Sequence, residues 1–204
     1  SIAKTLVKTV PSILSLEPSN VNQNVDNDIT ISWVSTNQQN YRLEIDGTSY
    51  TGTTQKSVII PKSTLAQGTK TVKLTAYYPY TWGEVATAEK TVTFLGYGKP
   101  PIPNLTLKAF YSTSTPILTW TSTTQVAYRL IIKKSNLQIL DTDEIISSDQ
   151  FYQVTSAFEN NTTYTVILMI KNQFNLWSNQ AIATFDTKYT VLNAPDLIAT
   201  AESN

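Results

Sequence analysis

Residues 33–45 read WVSTNQQNYRLEI, and residues 120–132 read WTSTTQVAYRLII. Trp, Ser, Thr, Gln, Tyr, Arg, Leu and Ile recur in register, eight identities in thirteen positions at a separation of 87 residues. Chance at ordinary composition gives roughly one. The chain is therefore read as two copies of one unit of roughly 90 residues, a size that suits a single β-sandwich.

The strand signal spreads outward from these two stretches. Ile29, Ile31 and Trp33 alternate with Thr30 and Ser32, and Tyr41, Leu43 and Ile45 alternate with Arg42 and Glu44. Val72, Leu74 and Ala76 alternate with Lys73 and Thr75. A period of two puts successive side chains on opposite faces, so each run predicts a strand with one buried face. Asp46-Gly47 between Ile45 and Thr48 predicts a two-residue hairpin turn, because both positions need φ > 0. Strands at intervals of roughly 8 to 12 residues predict an all-β sandwich.

Punctuation divides the copies. GYGKPPIP, residues 96–103, is rich in Gly and Pro, and proline fixes φ and removes a donor. The expected order is a first domain over 11–97, a linker over 98–103 and a second domain over 104–189. Residues 1–10, with Thr5-Leu6-Val7, read as the last strand of a preceding copy. Residues 190–204 contain Pro195-Asp196-Leu197, which reads as a further copy beginning, or as a tail. The pattern is that of a tandem array.

These residues resemble the fibronectin type III family over nearly the whole chain, twice. Trp33 and Trp120 match the family's second-strand tryptophan, and Tyr41 and Tyr128 match its third-strand tyrosine. Phe158, Asn161-Thr162 and Tyr164-Thr165-Val166 resemble the approach to its sixth strand, where Tyr164 takes the tyrosine-corner position. Lys171 to Ser178 resembles the loop before its last strand. The first copy departs from the pattern: Gly68-Thr69-Lys70-Thr71-Val72 has no Tyr at the corner, and Tyr77 to Gly83 replaces the loop. The resemblance implies two tandem immunoglobulin-like sandwiches of seven strands each.

Composition narrows the chemistry. Of 204 residues, 15 are basic and 15 acidic, so no net field steers the chain to nucleic acid or anionic lipid. There is no Cys and no His, which removes disulfides, the usual zinc sites and any imidazole base. No run approaches the roughly 18 apolar residues of a membrane helix. Neither an enzyme nor a cofactor is expected. Asp26-Asn27-Asp28 and Asp141-Thr142-Asp143-Glu144 are oxygen-rich, but lack the ladder of a calcium loop and read as turns.

Two surfaces are candidates for partner contact. In the second copy Ile131, Ile167 and Met169 fall on the outward parity of neighbouring strands, which predicts an exposed apolar cluster. In the first, YYPYTW at 77–82 places Tyr77, Tyr80 and Trp82 in the expected loop between the last two strands. A Trp near the end of both loops points to a structural role for Trp82, which leaves Tyr77 and Tyr80 as the stronger candidates. The leading expectation is a non-enzymatic spacer and protein-interaction module, extracellular, at a cell surface or in a virion. Its partners would be other domains of a parent protein or other subunits. Tandem arrays and an Asn/Thr/Lys-rich, Cys-free composition resemble those of Gram-positive bacteria and their phage tails. The alternative is a module that binds carbohydrate, such as cell-surface polysaccharide, or a receptor through its tip-loop aromatics.

Overall fold

The computed structural model describes residues 8–190. The expectations for Thr5-Leu6-Val7 and for Pro195-Asp196-Leu197 lie outside them. The described chain is all-β and divides into two units, one ending at Gly98 and the other starting at Lys99.

Unit 1 contains β1 (Ser12–Glu17), β2 (Gln23–Asn24), β3 (Ile29–Thr36), β4 (Asn40–Ile45), β5 (Thr48–Gly52), β6 (Ser57–Ile60), β7 (Gly68–Pro79) and β8 (Val85–Tyr97). One sheet has the order β1-β3-β6 and the other β2-β8-β7-β4-β5. Unit 2 contains β9 (Asn104–Leu105), β10 (Phe110–Tyr111), β11 (Ile117–Thr121), β12 (Ala127–Lys134), β13 (Leu137–Asp141), β14 (Phe151–Gln153), β15 (Thr162–Lys171) and β16 (Ala181–Thr187). Its sheets run β14-β11-β9 and β10-β16-β15-β12-β13, the same order again. This is the sandwich that the fibronectin type III resemblance implies.

Each unit has eight strand segments where seven were expected. The first strand of each sandwich is divided between the sheets. In unit 1, β1 pairs antiparallel with β3, while β2 pairs parallel with β8. Pro18 follows β1 directly and has no N–H with which to continue a ladder. In unit 2, β9 and β10 share the role in the same way.

The alternating residues fill the cores. In unit 1, Ile31, Trp33, Leu43, Ile45, Val72, Leu74 and Phe94 are buried together. In unit 2, Trp120, Leu130, Ile132, Tyr164, Val166, Leu168 and Phe185 are buried. Asp46 and Gly47 carry φ of 47° and 77°, so the expected tight turn joins β4 to β5. Gly52 is required for a different reason. It faces Tyr41 across the ladder, and a Cβ there would lie 2.6 Å from the ring.

The repeated letters build one hydrogen-bonded hub in each unit. The Trp33 indole N–H donates to Gln38 Oε1 at 2.8 Å, and Ser35 Oγ donates to the same oxygen at 2.7 Å. Gln38 Nε2 donates to the carbonyls of Thr53 and Gln55. In unit 2 the Trp120 indole and Ser122 donate to Gln125 Oε1 at 2.8 and 3.0 Å, and Gln125 Nε2 donates to the carbonyls of Ser147 and Asp149. The tryptophan also meets the repeated tyrosine edge-on, Trp33 with Tyr41 at 4.8 Å and Trp120 with Tyr128 at 4.9 Å. Four of the eight identities therefore serve one purpose: they fasten the middle of the sandwich to the segment that crosses between its sheets.

The units differ at the corner before the sixth strand. In unit 2 the Tyr164 hydroxyl accepts the Glu159 backbone N–H at 2.8 Å, and its ring stacks on Phe158 at 4.3 Å. In unit 1 Lys70 stands at that register position, opposite Phe94 as Tyr164 stands opposite Phe185. Its side chain is only 7 % exposed, and its ammonium reaches Asp46 at 2.6 Å. Tyr164→Phe should cost unit 2 about 1 to 2 kcal/mol, because the Glu159 N–H loses its acceptor. Chemical denaturation of the chain checks this, and an unchanged midpoint for unit 2 would count against a working corner.

Candidate functional site

The stretch YYPYTW is the end of an extended hairpin rather than the loop that was expected. β7 continues to Pro79 and pairs through Tyr77↔Thr87, Tyr78↔Ala86 and Pro79↔Val85. Proline is tolerated there because the ladder ends at that pair. The turn is closed by Tyr80 N–H to the Glu84 carbonyl at 2.8 Å, and Gly83 takes a φ of 92° that suits glycine.

The four rings of the stretch separate into two groups. Tyr78, Tyr80 and Trp82 form a pile: Tyr78 and Tyr80 centroids lie 5.3 Å apart, and Tyr80 stacks on Trp82 at 4.3 Å with planes 8° apart. The Tyr80 hydroxyl donates to the Thr9 carbonyl at 2.6 Å. Lys8 pairs with Glu84 at 2.6 Å, and this bond lowers the affinity of the Glu84 carboxyl for its proton. The Tyr80 ring is thus engaged within the hairpin, and its hydroxyl holds the segment that enters the unit. Trp82 remains 46 % exposed on its other side.

Tyr77 belongs to a different place. It has the opposite parity and lies on the outer face of the five-stranded sheet, beside Asn40 in register. With Arg42, Thr51, Thr53, Pro79 and Val85 it lines a shallow groove of about 540 Å³. Its backbone is fixed by the Gln39 N–H, which donates to the Tyr77 carbonyl at 2.9 Å. Arg42 uses only Nη2, toward Ser49 at 3.3 Å and Glu44 at 2.8 Å. Among the described residues, the side-chain polar groups of Asn40, Thr51, Thr53 and Tyr77 make no hydrogen bond to protein and face solvent.

The corresponding corner of unit 2 is closed. Ala127 and Lys171 stand where Asn40 and Tyr77 stand in unit 1. Arg129 grips Asp141 with two bonds, of 2.9 and 2.6 Å, which hold the Asp141 carboxyl below its ordinary pKa. Lys171 reaches both Glu144 oxygens at 3.0 Å and lies 5.3 Å from the centre of the Trp177 ring. The loop after Lys171 is pinned by Asn172 Oδ1, which accepts the Phe174 and Leu176 N–H groups.

The apolar row expected on unit 2 is present, with one correction. Ile131, Ile167 and Ile182 stand in register across β12, β15 and β16, and Met169 is two residues beyond Ile167. Ile167 faces outward as its parity requires, yet it is only 8 % exposed. Its cross-strand neighbours Ile131 and Ile182 shade it. Ile182, which the periodicity argument omitted, is the exposed member of the row at 61 %. The same row in unit 1 reads Glu44, Lys73 and Thr91. Asp26 lies in a turn and Asp28 Oδ1 accepts the Lys62 N–H of another segment, whereas Asp141 ends β13 and its Oδ1 accepts the Asp143 N–H.

No protein-family model matches the chain. No curated protein matches it either. Among solved structures, it is similar to the fibronectin(III)-like modules of Clostridium thermocellum CbhA, with 14 % identity, 96 % of this chain and 100 % of that one covered, and a TM-score of 0.34. It is also similar to a two-domain fibronectin type III segment of chicken tenascin, with 14 % identity, coverage of 87 % and 99 %, and a TM-score of 0.41. A third likeness is to a bacterial ice-binding adhesin, with 13 % identity, coverage of 89 % and 65 %, and a TM-score of 0.48. The fold is assigned on strand order and the two cores, independently of these likenesses.

Proposed function

We propose that this chain is a non-enzymatic spacing and protein-interaction segment of a larger extracellular or virion protein, with a phage tail as the favoured setting. The observation that carries the reading is the succession of two self-contained sandwiches, each with its own core and its own hub. Such units hold their shape without disulfides, and repetition sets a length. A chain without His or Cys also lacks the commonest catalytic base and the intrinsically most reactive side-chain nucleophile.

The interaction part of the reading rests on the isoleucine row of unit 2, which replaces the charged row of unit 1. Burying it against a neighbouring domain or subunit would remove apolar surface from water. Ile131→Lys together with Met169→Lys should leave the unit folded, since neither side chain is in the core, and should abolish assembly of the parent protein. Ile167 is left unchanged in this test because a lysine at that shaded position would itself be destabilising. Assembly and solubility equal to those of the unaltered protein would overturn the contact reading.

A further inference from the structure

We infer that the groove beside Tyr77 in unit 1 is a binding site for a neutral saccharide. The inference goes beyond the spacing role and does not depend on the isoleucine row.

The same corner exists twice on the same fold. In unit 2 the two cationic side chains at the corner are spent on protein partners: Arg129 on Asp141, and Lys171 on Glu144 and the Trp177 ring. In unit 1 an aromatic ring takes the lysine's place, and among the described residues the hydroxyls of Tyr77, Thr51 and Thr53, the Asn40 amide and two guanidinium nitrogens of Arg42 bond to no protein group. All of them line one groove.

The chemistry of the groove selects among ligands. A tyrosine face beside Pro79 and Val85 offers an apolar shelf, and the electron-rich ring favours the polarised C–H face of a sugar. Around the shelf stand donors and acceptors in mixture, which suits hydroxyl groups that both give and accept hydrogen bonds. Glu44 at 2.8 Å offsets the charge of Arg42, so the site has little preference for an anion. The backbone under Tyr77 is part of a continuous hairpin, so little ordering is needed when a ligand arrives. A single ring at an open groove gives weak binding, with a dissociation constant of about 1 mM.

The test is a titration of the intact chain with neutral tetrasaccharides of glucose, galactose, mannose and N-acetylglucosamine, read by amide chemical shifts. The expected result is a saturable shift at Asn40, Arg42, Thr51 and Tyr77 with at least one sugar. Tyr77→Ala should weaken that binding by roughly tenfold or more, an effect on the order of one good contact. Tyr77→Phe keeps the ring face and should retain most of it, which separates stacking from a general disturbance of the hairpin. Lys171→Ala, at the closed corner, should change nothing. The proposal fails if no tetrasaccharide moves these amides at millimolar concentration, or if the shifts map to Trp82 or unit 2. It fails equally if a proline-rich peptide binds the groove and no sugar does. Any of these failures would leave the spacing reading untouched.

Discussion

Gln38→Leu should cost unit 1 about 3 kcal/mol. Leucine fills nearly the same volume, so the loss is not one of packing. It strands the Trp33 indole N–H, which donates to Gln38 Oε1 at 2.8 Å inside the core. A buried polar group left alone costs about 1 to 3 kcal/mol. The Ser35 hydroxyl and the carbonyls of Thr53 and Gln55 also lose Gln38, but Ser35 is only half-buried and Thr53 and Gln55 are exposed, so water can take its place there. A domain of this size has a total stability of roughly 5 to 15 kcal/mol, so the loss is a large share. Amide exchange locates it. Protection of Ile31 and Leu43 should fall by more than a hundredfold, while Leu118 and Leu130 in unit 2 keep theirs. A loss under tenfold, about 1.4 kcal/mol, would mean the hub is decorative.

The second large effect is expected at Phe185. Its ring is 1 % exposed and lies among Tyr111 at 5.1 Å, Tyr164 at 5.6 Å and Phe158 at 5.9 Å. Phe185→Ala removes the member that touches all three. The others are held in place, Tyr164 by its bond from Glu159 and Tyr111 by the Lys108 N–H that donates to its hydroxyl at 3.3 Å. The space cannot collapse, so both the transfer and the cavity contributions apply, at about 3 to 5 kcal/mol. Phe185→Leu leaves a smaller hole and should cost less. Denaturant unfolding followed by probes in each unit tests the claim: the midpoint for unit 2 should drop steeply with m unchanged. An effect no larger than that of a surface substitution would show that the cluster relaxes around the gap.

Much of this was legible in the sequence because burial writes parity. Trp33, Tyr41, Leu43 and Val72 are inside for the reason their spacing gives, and Asp46-Gly47 could form only a turn of positive φ. Tyr164 occupies the corner that the family resemblance implied. Gln38 and Gln125 were visible as repeated letters, yet their role was missed. Glutamine carries no periodic signal, and its partners, Thr53 and Ser147, are distant in sequence. The available clue was its fixed spacing of five from Trp in both copies, amid neighbours that differ.

The candidate site was legible only in part. Tyr77 was singled out, but its groove depends on Asn40 and Arg42 of β4, Thr51 of β5 and Thr53 just beyond it, which the strand register brings alongside. Pro79 suggested that the strand had ended, whereas it sits at the last pair of the ladder. Tyr80 carried the same letter as Tyr77 with the opposite use. The exposure of Ile167 was misjudged because parity gives direction, whereas shading depends on what stands alongside.

The division of the first strand has a mechanical meaning. In each unit a short segment near the entry pairs parallel with the strand that leaves: β2 with β8, and β10 with β16. Pulling on the two ends of a unit draws such parallel neighbours past each other along their length. The load then falls on all the bonds between them at once, including Val25 N–H to the Tyr97 carbonyl and Lys188 N–H to the Tyr111 carbonyl. An antiparallel pair entered and left from one end would peel open bond by bond. A link in a chain under tension is better served by the first geometry, and both sandwiches have it.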